Sequence, residues 1–180
     1  LKSAVKNLYP IRNNRAYVYG PGYNGWGVQT NQKALAAFGA AAADKNFDRG
    51  IAGMSREEAM DYALGMFRYS IHTHIEGRQK LNDGEKWGHT WISGLGMERM
   101  MHAVDVLEEF LDQKDKDLFK KVLVSEADWI LDNWPVEAEV YNIVVKTDFV
   151  DTYTDRNGKN RPESNIWNGA ILLRTALMYP

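Results

Sequence analysis

The run SREEAMDYALGMFRYSIHTHI, from Ser55 to Ile75, leaves little choice of local structure. Ser55 and Glu58 stand three apart, the spacing at which a serine hydroxyl and a glutamate carboxylate satisfy each other's backbone N–H groups at a helix start. Behind them Ala59, Ala63, Met66 and Phe67 recur at helical period, so the helix has one apolar face that must be buried. A chain built from such faces has to stack helices on one another.

Four further stretches read the same way. Asn31 to Lys45 is alanine-rich and predicts a helix by propensity. Trp91 to Leu111 carries Leu95, Met100, Val104, Leu107 and Leu111 as its buried stripe. Lys116 to Asn133 carries Leu118, Val122, Leu123, Trp129 and Ile130, and Pro135 ends it. Glu163 to Met178 is the fifth, with Ile171, Leu173 and Leu177 as its anchors. Between them, GRQKLNDGEK and DQKDKD read as polar, solvated turns. Residues 1–30 are loop-rich. Residues 136–162 read as a long irregular segment, with YNIVVKTDFV as a possible short strand. No convincing sheet emerges. The expected fold is all-α, helical hairpins packed side by side in a single domain. Five helices make an uneven set of hairpins, so further helices are expected beyond Pro180.

Composition closes off several function classes. The net charge is −2, with Lys and Arg scattered among acids, which gives no reason to expect a nucleic-acid partner. No run approaches the roughly 20 apolar residues of a membrane span, so no membrane partner is expected. The absence of cysteine removes disulfides and thiolate chemistry. The chain opens on Leu1 with no apolar signal segment, which reads as a removed leader or an excerpt of a longer protein; a secreted or periplasmic location is expected. Six Trp and nine Tyr are many for 180 residues, and several lie beside Gly, Asn or His, as in YGPGYNGWG and EKWGHTWISGLG. Rings in such company either form stacking platforms for sugars or plug gaps between helix ends.

Three constellations are candidates for chemistry. HTHIEG offers His72, His74 and Glu76, but two histidines one residue apart point in different directions on a helix, so helix-end or surface histidines are expected and no metal. His102, inside the third helix, reads as structural. WGHTW gathers Trp87, His89 and Trp91 at a helix entrance. There His89 is either a proton donor or acceptor near neutral pH, or a hydrogen-bonded plug at the helix end. RPESNIWNG places Glu163, Asn165, Trp167 and Asn168 at the mouth of the last helix. A cap accounts for one polar residue there. It does not account for Asn168 one turn after Asn165, with Trp167 between.

ESNIWNGAILLRTALMYP, preceded by KWGHTWISGLGMERMMHAVDVL, resembles the heparinase II/III-like polysaccharide lyases and their relatives. The likeness spans residues 55 to 180. It rests on the asparagine opening a helix, the Leu177-Met178-Tyr179-Pro180 corner and the Trp87-Gly88 pair. It implies an incomplete (α/α) toroid, with more toroid helices and a β-sheet domain beyond residue 180. It also implies eliminative cleavage of an acidic, uronate-bearing polysaccharide or oligosaccharide without a cofactor. In that scheme an amide, matched here by Asn165, hydrogen-bonds the uronate carboxylate, a Tyr or His removes the C5 proton, and an acid protonates the leaving oxygen. Such lyases commonly place a histidine after the asparagine, where this chain has Ile166. The base therefore passes to His89 or to a loop tyrosine, Tyr141 or Tyr153. Trp87, Trp91, Glu163, Trp167 and Asn168 are the expected substrate-binding residues. Two alternatives stay open: a glycoside hydrolase using two of Glu163, Asp132 and Asp151, and a non-catalytic sugar-binding module.

Overall fold

The computed structural model describes residues 1–11, 16–133, 136–140, 143–147 and 162–180; for 8–11, 91, 133, 136–140, 143–147 and 162–165 it describes the backbone alone. In chain order the elements are α1 (Lys2–Val5), β1 (Leu8–Ile11), β2 (Ala16–Tyr19), α2 (Trp26–Ala43), α3 (Arg49–Ala52), α4 (Arg56–Thr73) and α5 (Trp91–Leu107). A 3-10 turn (Glu108–Phe110) follows, then α6 (Gln113–Asn133), β3 (Val136–Val140), β4 (Ile143–Thr147) and α7 (Pro162–Met178). The fold is all-α in character. The strands form two separate antiparallel hairpins, β1–β2 and β3–β4.

The Ser55–Glu58 capping box forms as the spacing predicts, with Glu58 N–H donating to Ser55 Oγ at 3.1 Å and Ser55 N–H to Glu58 Oε2 at 2.7 Å. Several elements differ from the sequence reading, α5 ending at Leu107 and not Leu111 among them. α2 starts at Trp26, because the Gly-rich stretch ahead of it is a compact turn and not an open loop. DQKDKD is not a solvated turn. Asp112 Oδ1 accepts the Asp115 N–H at 2.9 Å and so caps the first turn of α6, which starts at Gln113. In the segment expected to be irregular, β3 and β4 pair; β4 lies inside the stretch marked as a possible strand.

α2 packs against both α4 and α5; α7 packs on α5 and α6, and α6 also touches α4. The apolar stripes meet there: Ala59, Ala63, Met66 and Phe67 of α4, Met100, Val104 and Leu107 of α5, and Val122, Leu123 and Ile130 of α6 are all buried. Each large side chain fully withdrawn from water contributes about 1.5–3 kcal/mol. Close approach depends on small residues. A Cβ on Gly39 would strike Ala103 of α5, and one on Gly96 would strike the Gln32 amide of α2. Buried Asn31 links three elements, its Nδ2 donating to Met66 O and Ser70 Oγ at 3.1 Å each while Oδ1 accepts Tyr19 N–H at 2.8 Å.

The glycine-rich stretch is tied down through Gly22. Its carbonyl accepts the Tyr69 hydroxyl and the Asn82 N–H, both at 3.0 Å; its φ of 65° favours glycine, and a Cβ there would fall 2.7 Å from the Tyr69 hydroxyl. Tyr69 thus plugs the core. On α7, Ile171 is buried as expected, but Leu173 and Leu177 are exposed together with Ile166, so they do not anchor the helix within this chain.

Candidate functional site

α4 ends at His74 because the chain there turns extended and pairs with the segment leading into α5. Ile75 N–H donates to Trp87 O at 2.9 Å, and Trp87 N–H to Thr73 O at 3.2 Å. This short parallel bridge brings His74, Trp87 and His89 together although 15 residues of sequence separate the two histidines. α6 lies across them and contributes Ser125, Glu126 and Trp129.

At the centre lies Glu126, with its side chain fully buried. Its Oε1 stands 2.9 Å from His74 Nε2 and accepts the His89 backbone N–H at 2.7 Å. On the other side of the buried His74 ring, Nδ1 receives the Glu76 N–H at 3.1 Å. A backbone N–H can only donate, so Nδ1 carries the lone pair and the proton sits on Nε2, directed at the carboxylate. Gly88, with φ of 128°, passes so close that a Cβ there would fall 2.6 Å from His74 Nε2. Among the described residues, Glu126 Oε2 is buried without a hydrogen-bond partner.

His89 itself has φ of 53°, the one non-glycine residue with positive φ among those described. A side chain in that region is uncommon and costs energy that the surroundings must offset. The Glu126 bond holds the backbone. The imidazole stacks on Trp129, with centroids 5.6 Å apart and planes 5° from parallel. Its Nε2 lies 3.0 Å from Ser125 Oγ, and that hydroxyl donates to Glu76 Oε1 at 3.1 Å. Since the hydroxyl proton is spent on the carboxylate, Ser125 accepts from His89 Nε2–H. Nδ1 is then the basic nitrogen of the neutral ring. The order is Glu76, Ser125, His89, so the serine is an orienting relay and not a nucleophile activated by the histidine.

This assembly faces an open cleft of about 810 Å³, within the range of small-ligand sites. One wall is a stripe of α6 that repeats at helical spacing, Asp117, Lys121, Ser125, Asp128 and Asp132. Glu76, His89, Lys120 and Trp129 complete much of it, so four carboxylates face two amines. Lys120 Nζ also sits 5.2 Å from the Tyr179 ring centroid.

Of the residues expected from sequence, His89 lies on this cleft. Trp87 does not: it is 2% exposed, and its indole N–H donates to Ser70 O at 2.8 Å, which makes it part of the core. Asn168 is likewise 2% exposed and turned into the α5–α7 contact, where a Cβ on Gly94 would strike its amide. Its Nδ2 and the Trp167 indole N–H are buried donors without partners among the described residues. The side chains of Trp91, Glu163 and Asn165 lie outside the described part of the structure, as do Tyr141, Asp151 and Tyr153 entirely. Asp132 lines the cleft. His72 and His74 both fall at the end of α4, but His74 is buried, not on the surface. His102 is exposed beside Glu98 and holds no core position. Among the described residues no group of three metal-ligating side chains converges, and no helix is long and apolar enough to cross a membrane.

Glu126 and Ser125 were not singled out from sequence. The signal for Glu126 was present: it sits one turn after Val122 and Leu123 and one turn before Ile130, a charged residue inside a buried stripe. Comparison with family models, with curated proteins and with solved structures finds no match to this chain.

Proposed function

We propose that this chain is the helical part of a carbohydrate-active enzyme, an (α/α) toroid domain whose reaction is eliminative cleavage of a uronate-bearing polysaccharide. One observation carries the reading: a histidine in a strained backbone conformation, fixed from three sides, opens onto a cleft of saccharide size beside a tryptophan. Strain of that kind collects at functional sites. His89 takes the C5 proton on Nδ1 while Nε2 stays bonded to Ser125. The electron pair left at C5 is delocalised into the uronate carboxylate; it then forms the C4–C5 double bond as the C4–O bond breaks, and the leaving oxygen takes a proton from water or from the His89 imidazolium. Asn165, through its likeness to the lyase motif, is the amide that binds the carboxylate. Lys120 and Lys121 bring positive charge to the same cleft.

A second reading has its own observation. Asp117, Asp128, Asp132 and Glu76 give the cleft an acidic excess, which suits a pair of carboxylates working as acid and base in hydrolysis. Incubating the protein with alginate, heparan, hyaluronan and pectin separates the two. Elimination creates the ultraviolet absorbance of an unsaturated uronate, lost in His89→Asn. Reducing ends without that absorbance, lost in Asp128→Asn or Asp132→Asn, establish hydrolysis instead. Saccharide binding with neither product leaves a binding module, and no binding at all overturns the carbohydrate reading.

A further inference from the structure

The cleft does not end at Glu76. A second groove of about 390 Å³ shares Glu76, Asp117 and Lys121 with it and extends toward His72, Arg78 and Lys114. The two adjoin along these three shared residues. Their charge differs. At the His89 end the acids outnumber the bases, whereas the extension collects Arg78, Lys114 and Lys121 against Glu76 and Asp117.

The state of these charges matters more than their number. Both carboxylates already serve the protein, Glu76 Oε1 accepting from Ser125 and Asp117 Oδ1 from Gln113 Nε2 at 2.8 Å. Among the described residues Arg78, Lys114 and Lys121 form no ion pair, while nearby Arg68 is held by Asp115 at 2.8 Å. Lys114 stands in the first turn of α6, where the helix dipole disfavours a cation and the neighbouring Asp112 carboxylate offsets it. Asp112 already caps that turn. His72 adds little charge at neutral pH, because burial pushes its pKa below the usual imidazole range.

We infer that this groove is an anionic-saccharide subsite, in which Arg78, Lys114 and Lys121 hold a carboxylate- or sulfate-bearing sugar unit of the chain whose neighbouring unit lies at His89. The inference rests on the carbohydrate reading above and gives it a direction. A second negatively charged unit lies on the Arg78 side, next to the uronate at His89, and the bond to be cleaved lies on the Ser125 side of Glu76. Arg78 presents a planar fork suited to carboxylate or sulfate, and the lysines act as point charges.

The test is direct binding, by titration calorimetry at low and at high salt, of oligosaccharides from pectin, alginate, hyaluronan and heparan. The fully methyl-esterified pectin oligosaccharide serves as the uncharged control. Reversing two exposed charges, Arg78→Glu with Lys114→Glu, is expected to weaken binding of the anionic oligosaccharide about tenfold or more at low salt, with the difference shrinking as salt rises. The esterified control should bind both proteins alike. Far-UV circular dichroism and the unfolding midpoint should not move. Equal affinity of variant and parent for every anionic oligosaccharide overturns the subsite, and so does failure of all of them to bind. Product assays run alongside keep the two ideas apart. An elimination product formed equally by parent and variant sinks the subsite alone, whereas charge-dependent binding without any product sinks the enzyme reading alone.

Discussion

Replacing Glu126 with alanine removes one oxygen that serves two donors. Oε1 accepts from His74 Nε2 at 2.9 Å and from the His89 backbone N–H at 2.7 Å, in a pocket from which water is excluded. A buried donor left without an acceptor costs about 1–3 kcal/mol. Two such donors, with the packing of the side-chain methylenes, put Glu126→Ala at about 3–6 kcal/mol of lost stability. That is a large share of the roughly 5–15 kcal/mol by which domains are stable. Glu126→Gln is the informative comparison. Its amide oxygen accepts both bonds in the same shape, and it relieves the burial of a carboxylate whose Oε2 has no partner among the described residues. It forfeits the charge-assisted strength of those bonds and brings an amide N–H2 to the unpartnered position, so its loss should stay within about 2 kcal/mol. Urea unfolding followed by circular dichroism, with an unchanged m-value, measures both. An alanine variant less than about 1 kcal/mol down, or a glutamine variant as damaged as the alanine one, would refute the reasoning. The first result would mean the two donors find other partners, the second that charge and not accepting geometry holds the hub.

Three further outcomes follow from the same geometry. Gly94→Ala pushes a methyl into the Asn168 amide and the Trp167 ring and should cost about 1–3 kcal/mol in urea unfolding; Gly84→Ala, with open space but φ of 83°, should cost only the left-handed penalty of about 1 kcal/mol. His89→Asn should stay within about 1 kcal/mol of the parent because asparagine tolerates positive φ, whereas His89→Val should lose about 1–2 kcal/mol more; equal stability of the two would remove the strain argument. Burial pushes the Tyr69 hydroxyl up to about 12 from its ordinary value of 10.0. The unfolded chain therefore loses this proton first as pH rises. The contribution of Tyr69 is fully present below pH 10 and is lost between about 10 and 12, by at most about 2–3 kcal/mol. Unfolding midpoints of the parent and Tyr69→Phe across that range should converge.

The helices were legible because their signals are local. Ser55 and Glu58 mark a start that any solvent would enforce, and the stripe Met100, Val104, Leu107 needs only a partner face of matching size. What misled was polarity read as lack of regular structure. DQKDKD looks like a turn by composition, yet Asp112 turns it into a capped helix start. The glycines around Gly22 look like slack, yet one carbonyl there is bonded by a hydroxyl and an amide brought from two other segments. A sequence window cannot register a partner supplied from 47 residues away.

The site separates along the same line. His89 could be suspected from its neighbours, because a histidine between tryptophans at a helix entrance is chemically conspicuous. Its geometry could not, since φ of 53° is imposed by a carboxylate 37 residues further on and by the bridge between Trp87 and His74. Trp87 was conspicuous for the wrong reason. Beside Gly88 it resembles a sugar platform, but Gly88 is there so that the chain can pass the His74 ring, and the indole closes the core beneath it. Burial and exposure at one short motif are thus divided by a single peptide turn. Trp87 faces inward and fixes the bridge, Gly88 makes the reversal, and His89 is delivered to the cleft with one nitrogen spoken for. Any substitution that lets Gly88 relax toward ordinary φ would rotate His89 away from Ser125 and Trp129 together. The placing of His89 on the cleft therefore depends on a residue with no side chain.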